Sequence, residues 1–256
     1  MTEYSQYELS YRELLVDVNL WGRKKENRTG VDTIAAFNKC LTIDVSKYVP
    51  ILTGRKIFWE KAYHEYVWIK DGLTTTKYLN DNGIKWWNSY ANENGELGKT
   101  YGHQLRSFNG EIDQLDRVHR ELRMNTRRAH CTFWNPSELE MTPLPPCYTG
   151  MTFMRLGTNL NLSVQLRSSD LMLGLPYDVL VMYFFLLEVA EFNELKPHQL
   201  GIQITDAHIY ENHLEQMTKY NGRPFLKPPT ITKLKKGGYK LNNYKYGEHI
   251  MFPLNT

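Results

Sequence analysis

Several side chains of this 256-residue chain have the types and settings that nucleophilic and acid–base chemistry needs. Cys147 follows Pro145-Pro146, and proline both excludes a helix and fixes the approach of the chain, so the thiol belongs to a turn. A thiol there is either a nucleophile or a small buried hydrophobe. Glu65 falls in line with Phe58, Ala62 and Ile69 at helical spacing, i, i+4, i+7 and i+11. Inside that apolar stripe its carboxylate loses water and its pKa rises; at the stripe's edge it reaches solvent. Asp206, His208 and Tyr210 continue the face of Ile202 and Ile204, which predicts a polar pocket at a strand end or a cap of surface residues. Asp178 follows Pro176 in the first turn of a predicted helix, where the helix dipole favours an acid. Trp87 and Tyr90 are three apart, as plain packing or as a flat wall for a ring. Arg127 and Arg128 would point to opposite faces of a strand, and a solvated surface pair is their simplest reading.

The elements that must hold these residues follow from periodicity and turn chemistry. Residues 6–24 read as a helix, and residues 27–30, Asn-Arg-Thr-Gly, as a polar turn. Residues 33–45 look like a strand pair or a bent strand. Residues 50–54 are a loop, and residues 57–70 a helix. Residues 87–101 form an irregular, glycine- and asparagine-rich stretch. Residues 112–124 are a helix, 129–134 a strand, and 151–155 and 159–167 two strands around Leu156-Gly157-Thr158. Pro176 opens a helix to about Phe192, and residues 201–210 are a strand. Residues 223–256 read as loops and short strands wrapped on the body, so residues 1–256 are expected to be one domain.

Composition narrows the classes. Lys plus Arg is 31 against 28 Asp plus Glu, a net charge of +3, too balanced for a surface built to hold a nucleic-acid polymer. Aromatic residues at 13% argue against disorder. Three cysteines without metal-ligand spacing suggest neither a disulfide framework nor a metal site, and fit a reducing, cytoplasmic compartment. The N-terminus does not read as a signal peptide. The longest apolar run, residues 179–187, is far short of a membrane span. No phosphate loop or dinucleotide glycine pattern is present.

Taken in order, seven stretches resemble the thymidylate synthase family. They are NRTG at 27–30, HE at 64–65, ENGELGKTYGHQLR at 93–106, TRRAHCTFWNPSEL at 126–139, LPPC at 144–147, RSSDLMLGLPYD at 167–178 and DAHIYENH at 206–213. The resemblance implies a single α/β domain around a large twisted mixed sheet, as an obligate homodimer with sheets face to face. It implies 5,10-methylenetetrahydrofolate as co-substrate, no metal, and a pyrimidine nucleotide as substrate. Cys147 would add to C6 of the base. Arg28, Arg167 and Ser168 would hold the 5′-phosphate, joined across the dimer by the partner's copies of Arg127 and Arg128. Those arginines should also lower the thiol's pKa. His208 and Tyr210 match contacts to the sugar. Asp170 falls in both the nucleotide and folate sets; Gly174 is placed at the folate. Trp87, Tyr90, Leu144 and Tyr177 match the folate-ring wall, and Glu65 the carboxylate that organises water and proton transfer.

Four departures set the chain apart from the family's methylating members. Asp178 stands where an Asn reads uracil, as in the branch that uses deoxycytidylate. A carboxyl can accept from N4 of cytosine and supply a proton to N3. Tyr148 replaces a His, Gln165-Leu166 replace Tyr-Gln, and the chain ends MFPLNT in place of a small apolar tail, with Tyr90 in place of a second Trp. A loosened tail would admit water. The expectation is therefore conversion of dCMP to 5-hydroxymethyl-dCMP, as in phages that modify DNA cytosine, acting in the host cytoplasm. The runner-up is a methylating enzyme on dCMP or dUMP. From another class comes an inactive nucleotide- or RNA-binding homologue, against which the intact Cys147, Glu65 and arginine set argue.

Overall fold

The computed structural model describes residues 5–255. Along the chain come α1 (Gln6–Trp21), β1 (Arg23–Lys25), β2 (Thr33–Asp44), α2 (Trp59–Lys70), α3 (Lys77–Asp81), α4 (Tyr101–Arg106) and α5 (Gln114–Arg123). They are followed by β3 (His130–Thr132), β4 (Tyr148–Leu156), β5 (Asn159–Asp170), α6 (Gly174–Phe192), β6 (Lys196–Tyr210), α7 (Leu214–Asn221), β7 (Thr230–Lys233) and β8 (Tyr239–Asn242). Six strands form one mixed sheet in the order β1-β2-β6-β5-β4-β3, and β7-β8 is a separate hairpin. Only β5 and β6 run parallel, and a parallel pair needs a crossover. The apolar run at 179–187 supplies it: α6 is hydrophobic around most of its circumference, and residues 179–186 are buried without interruption. It lies on β5 and β6, while α1 lies on β2. Between the buried positions, Ser163, Gln165, Gln203 and Thr205 stay exposed, and Phe37 on β2 is 80% exposed. One face of the sheet is thus uncovered within the chain.

Several expectations change in detail. Residues 33–45 form one long strand, because β2 pairs along almost its whole length with β6. The helix predicted from residue 57 starts at Trp59, so Phe58 is its N-cap and only Ala62, Glu65 and Ile69 form the stripe. The strand at 129–134 shortens to His130–Thr132. Pro176 is the third residue of α6, since the helix opens at Gly174, so Asp178 lies beyond the first turn. The face of β6 also slips. Leu200, Ile202 and Ile204 are buried, then Ala207 and Ile209, so Asp206 and His208 do not share the face of Ile202. The same slip occurs on β5, where Leu160, Leu162, Val164 and Leu166 are followed by Ser169. Paired register puts both slips in one row, and Asn38, in the same row of β2, has φ of 53°. A shared irregularity of this kind turns side chains toward a new direction where a site is built.

Candidate active site

Cys147 sits in a bend immediately before β4, as its two prolines require. Arg167 on β5 clamps that bend: Nε donates to the Pro146 carbonyl at 2.9 Å and Nη2 to the Pro145 carbonyl at 2.8 Å. Nη2 also lies 4.0 Å from Cys147 Sγ. The Cys147 N–H donates to Tyr101 Oη at 2.7 Å. The thiol's pKa is raised, by burial first and then by Asp178; Arg167, Tyr101 and Arg28 oppose this. The expectation of a thiol lowered by its arginines is therefore corrected. In the unliganded chain loss of water outweighs two cations.

Glu65 is buried, 7% exposed, which settles its place in the stripe. Trp87 Nε1 donates to Glu65 Oε1 at 2.7 Å. Burial raises the Glu65 pKa against hydrogen bonds from Trp87 and Trp86. Aromatic rings connect this carboxyl to the nucleophile: Trp87 packs edge-on to Tyr101, and Tyr101 lies 4.4 Å between centroids from Tyr148. Asp178, on α6, has its pKa pushed well above the ordinary carboxyl range by burial, then by Glu65 and Asp170. Its protonated form is thereby favoured over the carboxylate. Gly174 lies between the two aspartates: a Cβ there would come within 3.7 Å of Asp178 Oδ2 and 3.9 Å of Asp170 Cβ. Asp170 Oδ1 accepts from the N–H groups of Met172 (2.8 Å) and Leu173 (3.2 Å), and faces His213 Nδ1 at 3.8 Å.

The polar end of β6 is built by contacts. Asp206 pairs with Lys25 and His208, and its carboxyl falls to about 2, with the His208 hydrogen bond the largest cause. His208 meets Tyr210 edge-on at 5.3 Å. The Tyr210 hydroxyl is hydrogen-bonded to Thr29, which seats the 27–30 turn carrying Arg28 beside the strand end. That turn is closed by Asn27 Oδ1, which accepts from the Thr29 N–H at 2.9 Å, and by Gly30 at φ 75°. Arg28 is exposed, and Ser168 pairs in register with Asp206.

Trp87 is mostly buried in this structure, whereas Trp86, Tyr90, Leu144 and Tyr177 are partly open. Trp86 and Tyr177 meet edge-on at 5.9 Å. This partly open aromatic surface is suited to the planar ring of a folate. Trp86 is a residue that spacing from Tyr90 did not select; the adjacent pair Trp86-Trp87, one ring in and one ring out, was the available signal. Tyr101, Arg55 and His213 were also missed. Arg55 is 2% exposed, donates to the Met172 carbonyl and lies 4.8 Å from the Phe252 ring centre. His213 Nε2 donates to the Pro253 carbonyl at 2.8 Å, and Asn212 and Asn255 bond each other. The tail is therefore docked, which corrects the expectation that its residues would leave it loose.

Arg127 and Arg128 precede the edge strand β3 and are exposed, and among the described residues neither guanidinium has a partner. The chain alone does not join them to the Cys147 bend. Among the described residues there is no group of three or more His, Cys, Asp or Glu arranged to hold a metal, and no helix is long and apolar enough to cross a membrane.

The comparisons agree with this arrangement. The family model described as "Thymidylate synthase" matches residues 9–254. The chain is 34% identical over 252 residues to a thymidylate synthase of Mycoplasma genitalium, an alignment covering 86% of this chain and 88% of that protein. A clamped cysteine, a buried Glu65 and an open aromatic surface, in a chain matched over nearly its full length, make this a member of the thymidylate synthase family, transferases that use methylenetetrahydrofolate as co-substrate.

Proposed function

We propose that this enzyme acts on deoxycytidylate at C5, and that its product is 5-hydroxymethyl-dCMP. The observation that carries the reading is Asp178, a carboxyl whose pKa burial and neighbouring acids push up, at the position where the family reads the base. When bound, the folate supplies a one-carbon unit at the oxidation level of formaldehyde.

The chain's own groups divide the remaining work. Arg28, Arg167 and Ser168 bind the phosphate, for which the planar guanidinium is suited. A phosphate there adds negative charge near Cys147 but also orders Arg167 against the bend, positioning Sγ under C6. Once the thiol has lost its proton to water, Sγ adds to C6 and the C5–C6 electron pair moves onto the ring. Asp178 then gives its proton to N3 of cytosine and, as a carboxylate, accepts from N4. A neutral carboxyl pairs with cytosine or uracil equally well in the ground state. Discrimination therefore falls in the transition state, where uracil N3 already carries a proton, and is read in kcat more than in KM. Glu65 orients water and moves protons at C5. His208 and Tyr210 hold the sugar. Trp86, Tyr90, Leu144 and Tyr177, backed by Trp87, would hold the folate ring, and Asp170 and Gly174 would complete its site. Water as the final nucleophile, adding its oxygen to the exocyclic carbon and giving up a proton, is supported by the acids of this pocket and by Tyr90 in place of a larger ring.

A second reading, methylation of dUMP, is favoured by the similarity to a thymidylate synthase. Incubation with methylenetetrahydrofolate and either nucleotide separates the two. Mass spectrometry should find hydroxymethylated dCMP with no dihydrofolate absorbance. Methylated dUMP with stoichiometric dihydrofolate establishes the second reading in its place.

The uncovered sheet face and the unpartnered Arg127 and Arg128 support a homodimer with arginines shared between sites. Mixing Cys147→Ser chains with Arg127→Ala/Arg128→Ala chains should restore one working site per hybrid dimer. Absence of recovery under subunit exchange places the arginines' action within their own chain.

A further inference from the structure

Away from the Cys147 bend, helix ends surround a second cavity of about 470 Å3. Tyr66 and Lys70 of α2, Arg106 of α4, His119 of α5, and Glu188 and Phe192 of α6 line it. None of them belongs to the site described above. The volume falls among pockets that hold small organic molecules.

Its wall has three distinct features. The first is a ring platform. His119 lies against Phe192 with centroids 4.0 Å apart and planes at 37°, and Phe192 is 62% exposed. Asn193 Nδ2 donates to the Val189 carbonyl at 2.7 Å and contacts His119 Nδ1 at 2.9 Å. The Val189 bond fixes the amide's orientation, so Nδ1 is an acceptor and the imidazole proton is assigned to Nε2. The second is a donor without an acceptor: Tyr66 is 1% exposed and its hydroxyl has no partner. A buried hydroxyl left unpaired is unfavourable, and a ligand acceptor would relieve it. The third is matched charge. Lys70 pairs with Asp71 at 2.8 Å and Arg106 with Asp113 at 2.8 Å. Glu188 Oε1 accepts from Tyr239 Oη at 3.1 Å, which leaves Oε2 as an acceptor. With both cations already paired, the cavity does not select an anion.

We infer that this cavity binds a neutral planar heterocycle with an acceptor and a donor on one edge, the chemistry of a nucleobase. The ring stacks on His119 and Phe192, its acceptor takes the Tyr66 hydroxyl, and its donor reaches Glu188. Such a site is separate from the substrate site and needs no phosphate.

The test titrates adenine, guanine, cytosine and thymine as free bases into the full-length protein by calorimetry. Saturating dCMP and dUMP are present, so the Cys147 site is filled. At least one base should bind. Tyr66→Phe keeps the ring and removes only the hydroxyl; it and Glu188→Gln should each weaken binding about tenfold, the scale set by leaving one polar group unpaired. Turnover of the nucleotide should stay within about twofold, as expected for residues outside the reacting site. Phe192→Ala, at an exposed position the fold tolerates, should weaken binding as well and decides the matter if Tyr66→Phe lowers the melting temperature. Absence of binding by every base up to its solubility limit means the cavity holds water only, and overturns the inference. Binding that all three variants leave unchanged overturns it equally, by placing the base elsewhere.

Discussion

Asp178 stands near the start of α6, surrounded by protein and by the carboxyls of Glu65 and Asp170. Asp206 stands on β6 with the Lys25 ammonium and the His208 imidazole against it. The same side chain is driven to opposite states. Burial and like charge push the Asp178 pKa up and favour its protonated form, whereas hydrogen bonds from His208 and Lys25 lower that of Asp206 to about 2 and hold it ionised. A carboxyl that can donate a proton at neutral pH is a reagent. One that cannot is a structural anion, here fixing His208 and the β1 end of the sheet. The contrast teaches that the acid's surroundings, rather than its type, assign its role.

The largest effect comes from removing the group that Asp178 serves. Cys147→Ser should lower turnover by about 10⁴-fold or more while dCMP still binds, since serine at this position lacks an activating base. Substantial residual turnover with Cys40 and Cys131 intact would mean that the nucleophile is elsewhere, and the comparison loses its point.

Asp178→Asn comes next. Loss of a general acid is worth about 10²–10⁴ in kcat on dCMP, and the preference should move toward dUMP. Wild-type kcat on dCMP should fall as pH rises through the raised Asp178 pKa, because the proton to be donated is gone. That alkaline limb should be absent in the Asn variant. Asp178 also raises the thiol, so alkylation of Cys147 by iodoacetamide should reach half-maximal rate at lower pH in Asp178→Asn. An unchanged alkylation profile would show that the two groups do not interact.

Glu65→Gln should slow product formation about 10–10²-fold with little change in dCMP affinity, as expected for a group that handles protons without holding the nucleotide. Equal losses in kcat and affinity would place Glu65 in binding instead.

The smallest effect sharpens the other side. Asp206→Asn should keep kcat within a few-fold but lose about 1–2 kcal/mol of stability at pH 7, after allowance for partial exposure. A lowered carboxyl contributes stability that is present above its ordinary value of 3.8 and disappears as pH falls toward about 2. Wild type and variant should therefore converge in acid-melting experiments. Asp178 has the reverse sign. Its neutral form is stable below the ordinary carboxyl range, and stability is lost as pH rises through its raised value. Asp178→Asn should flatten the stability profile on that side.

Much of the site was legible in one dimension because its groups come in short, ordered stretches. Cys147 after two prolines, Arg28 in an Asn-Arg-Thr-Gly turn and Glu65 in an apolar stripe all announce themselves locally. Pro176 likewise marked the helix that runs to Phe192, whereas that helix's role as the crossover between parallel strands came only with the fold. Tyr101, Arg55 and His213 did not announce themselves, because what they do depends on segments far away in the chain, and Trp86 was marked only by its neighbour Trp87. Tyr101 matters because a chain segment 46 residues away donates to its hydroxyl. Arg55 and His213 matter because the C-terminal tail comes to rest on them.

The sequence by itself determined the longer helices and strands and the membership of the family, since these depend on residue type and near-neighbour spacing; it missed the short β1, α3, α4 and α7, and it nominated the reactive groups. Tertiary structure alone decided their electrical states and directions. The pKa of Cys147, Glu65, Asp178 or Asp206 depends on water excluded and charges brought near from distant segments, and the slip in the β5–β6 row that redirects Asp206 and His208 depends on strand pairing. Desolvation and Coulomb interaction act over a few ångströms of space, and only the folded chain specifies which residues lie within that distance.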